Sequence, residues 1–368
     1  MGFRFDGLCH WVQSRLARQS DRYCLQMSKL DRRISVAPMM DWTDRHCRYF
    51  LRGFSSDVLL YTEMITAAAI QRGNRARLLA FDPQEHPVAL QLGGSEPREL
   101  AAAARAGEQA GYDEINLNCG CPSERVASGA FGACLMREPA LVAECVAAMR
   151  AAVRVPVTVK MRIGVVSAGA GGHEDAIAGF SERDAERLWE FVGSVRDAGC
   201  QAAIVHARKA VLGKLSPKEN REIPPLRYEI VRRLKVDFPT LPVVVNGGLR
   251  LPDMVLDALA WCDGVMLGRE AYHRPFLLAE LHCALNSGAG EMPTREALIA
   301  RMEGYVAREL ARGEPLAAIT RHMLGLYSGE PGARDFRRTL SEGARALGAG
   351  VEVLRRAVPQ APRASALR

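Results

Sequence analysis

The stretch Ile34-Ser35-Val36-Ala37-Pro38-Met39-Met40-Asp41 decides the fold. Ile34–Met39 reads as a short apolar, β-branched strand, and the residues at its end are informative by their composition. An open, doubly wound α/β sheet usually carries a glycine-rich phosphate loop directly after its first strand. Pro38-Met39-Met40-Asp41 offers no such loop. Seven comparable runs lie further along the chain: Val58–Met64, Val88–Leu92, Ile115–Asn118, Val157–Met161, Ala203–His206, Val243–Asn246 and Gly264–Leu267. Amphipathic stretches separate most of them, at Pro97–Gly111, Glu138–Val153, Asp184–Ala198, Pro225–Leu234 and Pro252–Trp261. Strands alternating with helical periodicity imply parallel βαβ units. Eight such units over about 250 residues predict a closed (β/α)8 TIM barrel rather than an open sheet.

Beyond the eighth run the pattern becomes helical. Thr294 is a candidate N-cap, and Ala297–Leu310, Leu316–Tyr327 and Ala333–Leu347 read as helices separated by Gly313-Glu314-Pro315 and Gly329-Glu330-Pro331-Gly332. The expected organisation is an N-terminal extension over 1–30, a TIM barrel over 31–285, a small helical domain over 291–350 and a tail over 351–368, frayed from Pro359 onward.

Composition sets bounds on function. The chain has 368 residues, 48% hydrophobic and 25% charged, as in ordinary globular proteins. No apolar run approaches the ~20 residues of a membrane span. The formal net charge is +7, and residues 291–368 hold 13 Arg against 9 Asp plus Glu, more than half of that excess. A basic C-terminal fifth favours a polyanionic partner. The ten cysteines include no C-x-x-C pair and no zinc-finger spacing with histidine, so neither a metal site nor a secreted disulfide framework is expected. A reducing cytosol and a monomer are the expectations. Met1–Leu30 lacks the apolar core of a secretory signal.

In barrels of this kind chemistry gathers where the strands end. Here the strand ends carry Pro38-Met39, Thr62-Glu63, Gln91, Asn118-Cys119-Gly120-Cys121, Lys160-Met161-Arg162, His206-Ala207-Arg208, Asn246-Gly247-Gly248 and Gly268-Arg269. The glycine turns on the last two strands have the parts of a phosphate cradle, with Arg269 to pair the anion. Lys160 and His206 suit negative charge on a flavin ring or a substrate carbonyl. Cys121, on a loop between Gly120 and Pro122, is the favoured proton donor. Cys119 and Cys134 compete for that role, Cys134 being the better candidate for packing a helix start.

These segments together carry a family likeness. Ser35–Arg45, Asn116–Met136 with Asn118-Cys119-Gly120-Cys121-Pro122-Ser123, Val159–Gly164 and Val205–Arg208 resemble the tRNA-dihydrouridine synthases. Leu215–Leu226, Gly332-Ala333-Arg334 and Arg337-Arg338 resemble the A-type subgroup. The resemblance covers roughly residues 30–350. It implies an FMN enzyme, driven by NADPH, that reduces uridines of the tRNA D-loop at positions 20 and 20a. On that resemblance hydride passes from flavin N5 to uracil C6 and Cys121 protonates C5. It further implies that Pro38, Met39, Gln91, Lys160 and His206 hold the isoalloxazine ring. Asn246, Gly248, Gly268 and Arg269 hold the phosphate, and Asn118 and Arg208 approach the base. Arg334, Arg337 and Arg338 grip tRNA phosphates, with Arg345, Arg355 and Arg356 as further candidates; adjacency places Arg337 and Arg338 on different sides of a helix. Two departures stand out: Cys119 replaces a small apolar residue, placing a second thiol near the site, and Arg274 in Tyr272-His273-Arg274-Pro275 replaces an Asn. The competing readings are another flavin barrel acting on a free pyrimidine or an enone, an RNA-binding protein without catalysis, and a barrel without ligand.

Overall fold

A computed structural model describes residues 30–123, 131–167, 177–213, 215–286 and 291–359. The readings of residues 1–29 as an extension and of 360–368 as a frayed tail lie outside these residues. The eight barrel strands are β1 (Ile34–Val36), β2 (Leu59–Tyr61), β3 (Val88–Gly93), β4 (Glu114–Cys119), β5 (Val157–Arg162), β6 (Ala203–His206), β7 (Val243–Asn246) and β8 (Gly264–Leu267). All pairings between consecutive strands are parallel, and β1 closes the ring by pairing with both β2 and β8. The expected TIM barrel is therefore present, with each run in its place. Strand ends are shorter than the apolar runs. β1 stops at Val36 because Pro38 has no N–H for a ladder, and the chain turns there: Met39 O accepts from Trp42 N–H and Thr43 N–H at 3.0 and 2.9 Å. A short strand Ile65–Thr66 extends the β3 edge, and Val165–Ser167 pairs with Ala210–Leu212 above the β5 and β6 ends.

The register separates two chemistries. On β4, Ile115, Leu117 and Cys119 face outward into the apolar layer that includes Cys145, Val146 and Met149 of the helix Pro139–Ala152. Glu114, Asn116 and Asn118, at the alternate positions, are buried polar residues, as the two-residue period of a strand requires. Such alternation in a fully buried strand gives this side of the barrel interior a polar lining beneath an apolar outer jacket, while Leu59, Ile204, Val244 and Met266 keep the rest of the inner face apolar.

The expected helices appear at Pro97–Ala110, Pro139–Ala152, Glu182–Asp197, Tyr228–Asp237 and Pro252–Leu259. A further one, Arg45–Leu51, is too short and too polar to show in the sequence; Asp44 caps it by accepting from Cys47 N–H at 3.0 Å. After the barrel come Arg295–Ala311, Leu316–Thr320, Ala333–Gly343 and Glu352–Ala357. The expected helix Leu316–Tyr327 ends at Thr320. Thereafter the chain runs in tight turns, with Met323 N–H bonded to Thr320 O and Leu326 N–H to Met323 O, which bury Met323 and Leu326. Only glycine fits at 325, where a Cβ would stand 2.8 Å from His273 O.

From Arg32 onward the chain is one compact unit. The C-terminal helices are fastened to the segment after β1. Tyr305 stacks on Tyr49 with ring centroids 3.9 Å apart, and its hydroxyl lies 2.7 Å from His46 Nδ1. Arg45 pairs with the buried Glu309 at 2.7 Å. Among the described residues no helix is long and apolar enough to cross a membrane.

Candidate active site

Cys121 lies on the loop after β4, partly exposed at the carboxyl end of the barrel. Its position is set from three sides. Asn118 Oδ1 accepts from the backbone N–H groups of Gly120 and Cys121 at 3.1 and 3.0 Å. Cys121 O accepts from Ala133 N–H at 2.9 Å. Arg162 Nε donates to Gly120 O at 3.0 Å, while its Nη1 donates to Lys209 O and Asn220 O at 3.0 and 2.9 Å. Ser123 Oγ lies 3.7 Å from the Cys121 sulfur.

The other thiols separate clearly from Cys121. Cys119 points outward into the core and is fully buried; desolvation pushes its thiol well above the usual range. The expectation of a second thiol near the site is corrected by the end of the strand: Cys119 is the last residue of β4 and faces the core, whereas Cys121 lies past it on the loop, freed from the strand's alternation. Cys134 lies in the first turn of the short 3-10 helix Gly132–Arg137 and points its sulfur at Phe131 O, 3.1 Å away, so it packs a helical start as the sequence suggested.

Around Cys121 the mouth is cationic. Lys160 and Arg162 project from β5, His206 from the end of β6, and Arg208 and Arg221 from the loops above. Burial first, then the neighbouring Arg162, lowers Lys160 to about 8; negative charge at Cys121 opposes the shift. Burial likewise lowers Arg162 to about 10, with Arg221 and Arg208 adding repulsion. His206 falls well below its ordinary value through burial and the charges of Arg162, Lys160, Arg208 and Arg221. So many cations depressing one another mark a place built to receive negative charge. His206 Nδ1 is buried and has no hydrogen-bond partner among the described residues, and a ligand in the mouth would supply one.

The glycine turns stand side by side, since β7 and β8 pair through Asn246 and Met266. Gly247 and Gly248 have φ of 112° and 72°, the left-handed region that glycine enters freely. A Cβ on Gly247 would meet the His206 ring at 3.1 Å, whereas one on Gly268 would meet nothing within 4 Å. The Gly247 carbonyl accepts from Tyr228 Oη. Asn246 Nδ2 donates to Met266 O at 2.7 Å, so this side chain fastens the two strands beneath the cradle. Arg269 pairs with Glu222 at 2.9 Å across the mouth.

Pro38 and Met39 are half-buried at the end of β1, and the loop beyond them holds Asp41 at φ 65° with Met40 57% exposed. Gln91 is buried on β3, donating from Nε2 to Asn116 Oδ1 at 2.7 Å and accepting from Asn118 Nδ2 at 2.8 Å. Arg208 donates to Arg221 O and Pro224 O at 3.0 and 2.9 Å, which shapes the wall formed by residues 215–226. The fully buried Asn220 ties that wall down through Val211 N–H, Val211 O and Leu215 O. Sequence reasoning left out Arg162 and Asn220, although both sit within motif segments it quoted.

The dihydrouridine synthase family matches residues 35–361. The chain belongs to that family. Among its relatives are proteins named tRNA-dihydrouridine(20/20a) synthase. One from Pseudomonas syringae is 54% identical over 312 residues, covering 85% of this chain and 89% of the relative. One from Xanthomonas axonopodis is 53% identical over 343 residues, covering 93% and 96%. One from Synechocystis is 53% identical over 325 residues, covering 88% and 93%. Membership in the dihydrouridine synthase family makes the protein an oxidoreductase.

Three arginines expected to meet RNA lie on the helix Ala333–Gly343. Arg334, Arg337 and Arg338 are all exposed, while Phe336 and Leu340 anchor the opposite face. The i, i+3, i+4 spacing puts the three on one broad solvent face, so the adjacency of 337 and 338 does not split them. Arg338 is paired with Asp335 at 2.9 Å. Arg274, the departure from the expected Asn, lies 4.0 Å from Glu270 and 3.5 Å from Glu280.

Proposed function

We propose that this chain reduces uridine to 5,6-dihydrouridine in the D-loop of tRNA, at positions 20 and 20a, with FMN as its cofactor and NADPH as reductant. The observation that carries this reading is one mouth holding a pinned thiol, Cys121, within a group of mutually repelling cations and beside two adjacent glycine turns, of which the one at Gly268 is open. The relatives' names supply the substrate.

The residues fit the cofactor. The unpartnered His206 Nδ1, Lys160, Gln91, Pro38 and Met39 would border the isoalloxazine ring. Gly248, Gly268 and Arg269, fastened by Asn246, would hold the phosphate, whose two negative charges relieve the crowding of cations. When bound, FMN would supply the hydride, from its N5, for C6 of the uracil.

The chain's own part is the proton. Cys121 delivers it from sulfur to C5, which completes the reduction of the C5–C6 double bond and leaves a thiolate. Lys160 and Arg162 are near enough to Cys121 for a negative charge there to favour their cationic forms, so they stabilise the thiolate once it forms. Asn118, through the Gly120 and Cys121 amides, keeps the thiol in place while the base enters. Arg208 borders the uracil edge. The target base must leave its stack to reach such a mouth, at a cost of a few kcal/mol. Phosphate contacts from Arg334, Arg337 and Arg338 offset that cost without reading sequence.

The test is the visible spectrum of the purified protein, followed by reaction of unmodified tRNA with NADPH. Bound FMN and dihydrouridine at 20 and 20a are expected. A protein that neither carries nor takes up FMN would overturn the cofactor assignment, and reduction of free uridine at the tRNA rate would overturn the substrate.

A further inference from the structure

We infer that Thr158 and Asn116 are positioning residues for Cys121 and Gln91: they carry one hydrogen-bond direction through the barrel interior, from the Glu114 carboxylate to the catalytic loop. The inference rests on the reading of Cys121 and Gln91 as working groups of the mouth.

The chain of bonds is continuous. Arg32 and Tyr61 Oη both donate to the buried Glu114, the hydroxyl at 2.5 Å. Thr158 Oγ1 donates to Glu114 Oε1 at 2.6 Å. Asn116 Nδ2 donates to Thr158 Oγ1 at 2.9 Å, and Gln91 Nε2 donates to Asn116 Oδ1 at 2.7 Å. Asn118 Nδ2 donates to Gln91 Oε1 at 2.8 Å, and Asn118 Oδ1 accepts the Gly120 and Cys121 amides. The strand register produces this ladder, because Gln91 stands beside Asn116 and Asn116 beside Thr158 on neighbouring strands.

Its direction is over-determined. At the lower end an ion-paired carboxylate only accepts, so the Thr158 hydroxyl must donate down and accept from above. At the upper end two backbone N–H groups only donate, so Asn118 must present oxygen to them. Three amides lie between, and both ends demand the same orientation of all three. A reversal at any rung sets donor against donor at the next, and in a buried site each such clash leaves polar groups unpaired. The ladder therefore fixes which atom of Gln91 faces the mouth and keeps Asn118 Oδ1 on the Cys121 loop. Thr158 and Asn116 touch no reacting atom; they act through Gln91 and Asn118.

Thr158→Val keeps the shape and removes both functions of the hydroxyl, whereas Thr158→Ser keeps both. Each variant is compared with the parent in three ways: kcat and KM on tRNA, the alkylation rate of Cys121 by iodoacetamide followed by peptide mapping, and the shape of the bound flavin band. Thr158→Val is expected to lower kcat between about ten- and a hundred-fold with little change in KM for tRNA. It should also alter Cys121 alkylation and the flavin band, and Thr158→Ser should restore all three. A folded Thr158→Val protein with parental kcat and parental alkylation overturns the inference, as does equal damage from valine and serine. If the valine variant does not fold, side-chain amide exchange in the unaltered protein decides. Asn116 and Gln91 amide protons exchanging as slowly as core backbone amides support the ladder, and exchange as fast as in exposed amides overturns it. Alkylation and exchange need no uridine, so an intact ladder in a protein that fails to reduce tRNA counts against the proposed function alone.

Discussion

His322 Nε2 lies 3.0 Å from the Asp44 carboxylate, joining residues 278 positions apart in the chain. Arg321 adds a second bond to the same carboxylate at 2.6 Å, and Tyr272 Oη lies 3.1 Å from His322 Nδ1. Asp44 thus caps the helix after β1 and anchors the turns of the C-terminal segment at once, two residues from Trp42, which stacks on Tyr272 with centroids 4.5 Å apart.

The pairing makes an acid-sensitive joint. Burial raises the Asp44 carboxyl, but the bonds to His322, Cys47 N–H and Arg321 outweigh it and hold the group well below its ordinary 3.8. A depressed carboxylate contributes stability above its unfolded pKa and loses it as pH falls through the folded value. Asp44→Asn should therefore lower the urea midpoint at pH 7 by the equivalent of about 1–3 kcal/mol. The gap between variant and parent should persist down to about pH 5 and narrow below about pH 4. A gap that stays constant to pH 2 would show that the charge is not what holds the joint.

Much of this architecture was legible in the sequence, and the parts that were not share a cause. Eight β-branched runs gave the barrel because a two-residue period and a helical period are both written locally. The grouping of Cys121, Lys160 and His206 was legible because they end neighbouring strands, and the structure does bring them together at one end of the barrel. What periodicity could not show were bonds between distant strands: Arg162 clamping Gly120, Asn220 pinning the wall, Asp44 meeting His322. One local signal was available and unused. Glu114-Ile115-Asn116-Leu117-Asn118 alternates polar and apolar, and within a strand covered on both sides that pattern announces a polar interior. The helix Leu316–Tyr327 was overextended because tight turns bury Met323 and Leu326 as a helix would.

Lys160 offers a second titration, with the opposite sign. Its ammonium is held at about 8 by burial and by Arg162, so the flavin-free folded protein binds its proton more weakly than the unfolded chain does. Folding is then penalised while the group must carry its charge, and the penalty fades as pH rises from about 8 to the unfolded value near 10.5. Lys160→Met should stabilise the flavin-free protein at pH 7 by about 1–3 kcal/mol, with the advantage gone by about pH 10.5, and should release FMN more readily on dilution. Urea unfolding at several pH values and flavin fluorescence after dilution measure the two effects. A variant less stable than the parent at pH 7 would contradict the cost of that buried charge.

The thiols give a test of where β4 ends and the loop begins. Cys121→Ala should retain FMN and lose turnover on tRNA by about a hundred-fold or more, the usual contribution of a positioned general acid. Cys119→Ala, two residues away, should keep turnover within about twofold and instead cost about 1 kcal/mol through the small cavity it opens in the jacket. Single-turnover reduction of tRNA and thermal unfolding separate these outcomes. Loss of turnover in Cys119→Ala with Cys121→Ala active would reverse the assignment.

The arginine face of the helix Ala333–Gly343 should act on binding rather than on chemistry. Arg334, Arg337 and Arg338 are exposed on a helix that follows the barrel, so their loss should leave the flavin and the Cys121 loop intact. Arg338 is already paired with Asp335, and an exposed pair of that kind holds its partner weakly, leaving the guanidinium available to a phosphate. Replacing all three with alanine should raise KM for tRNA by about tenfold or more and leave kcat nearly parental. It should also flatten the dependence of log affinity on log salt by about one for each phosphate the helix no longer grips. A triple variant with parental KM and an unchanged salt slope would place the RNA grip elsewhere, with Arg345, Arg355 and Arg356 next in line. Of these, Arg355 is bonded to Glu303 at 2.9 Å, which makes Arg345 and Arg356 the first to examine.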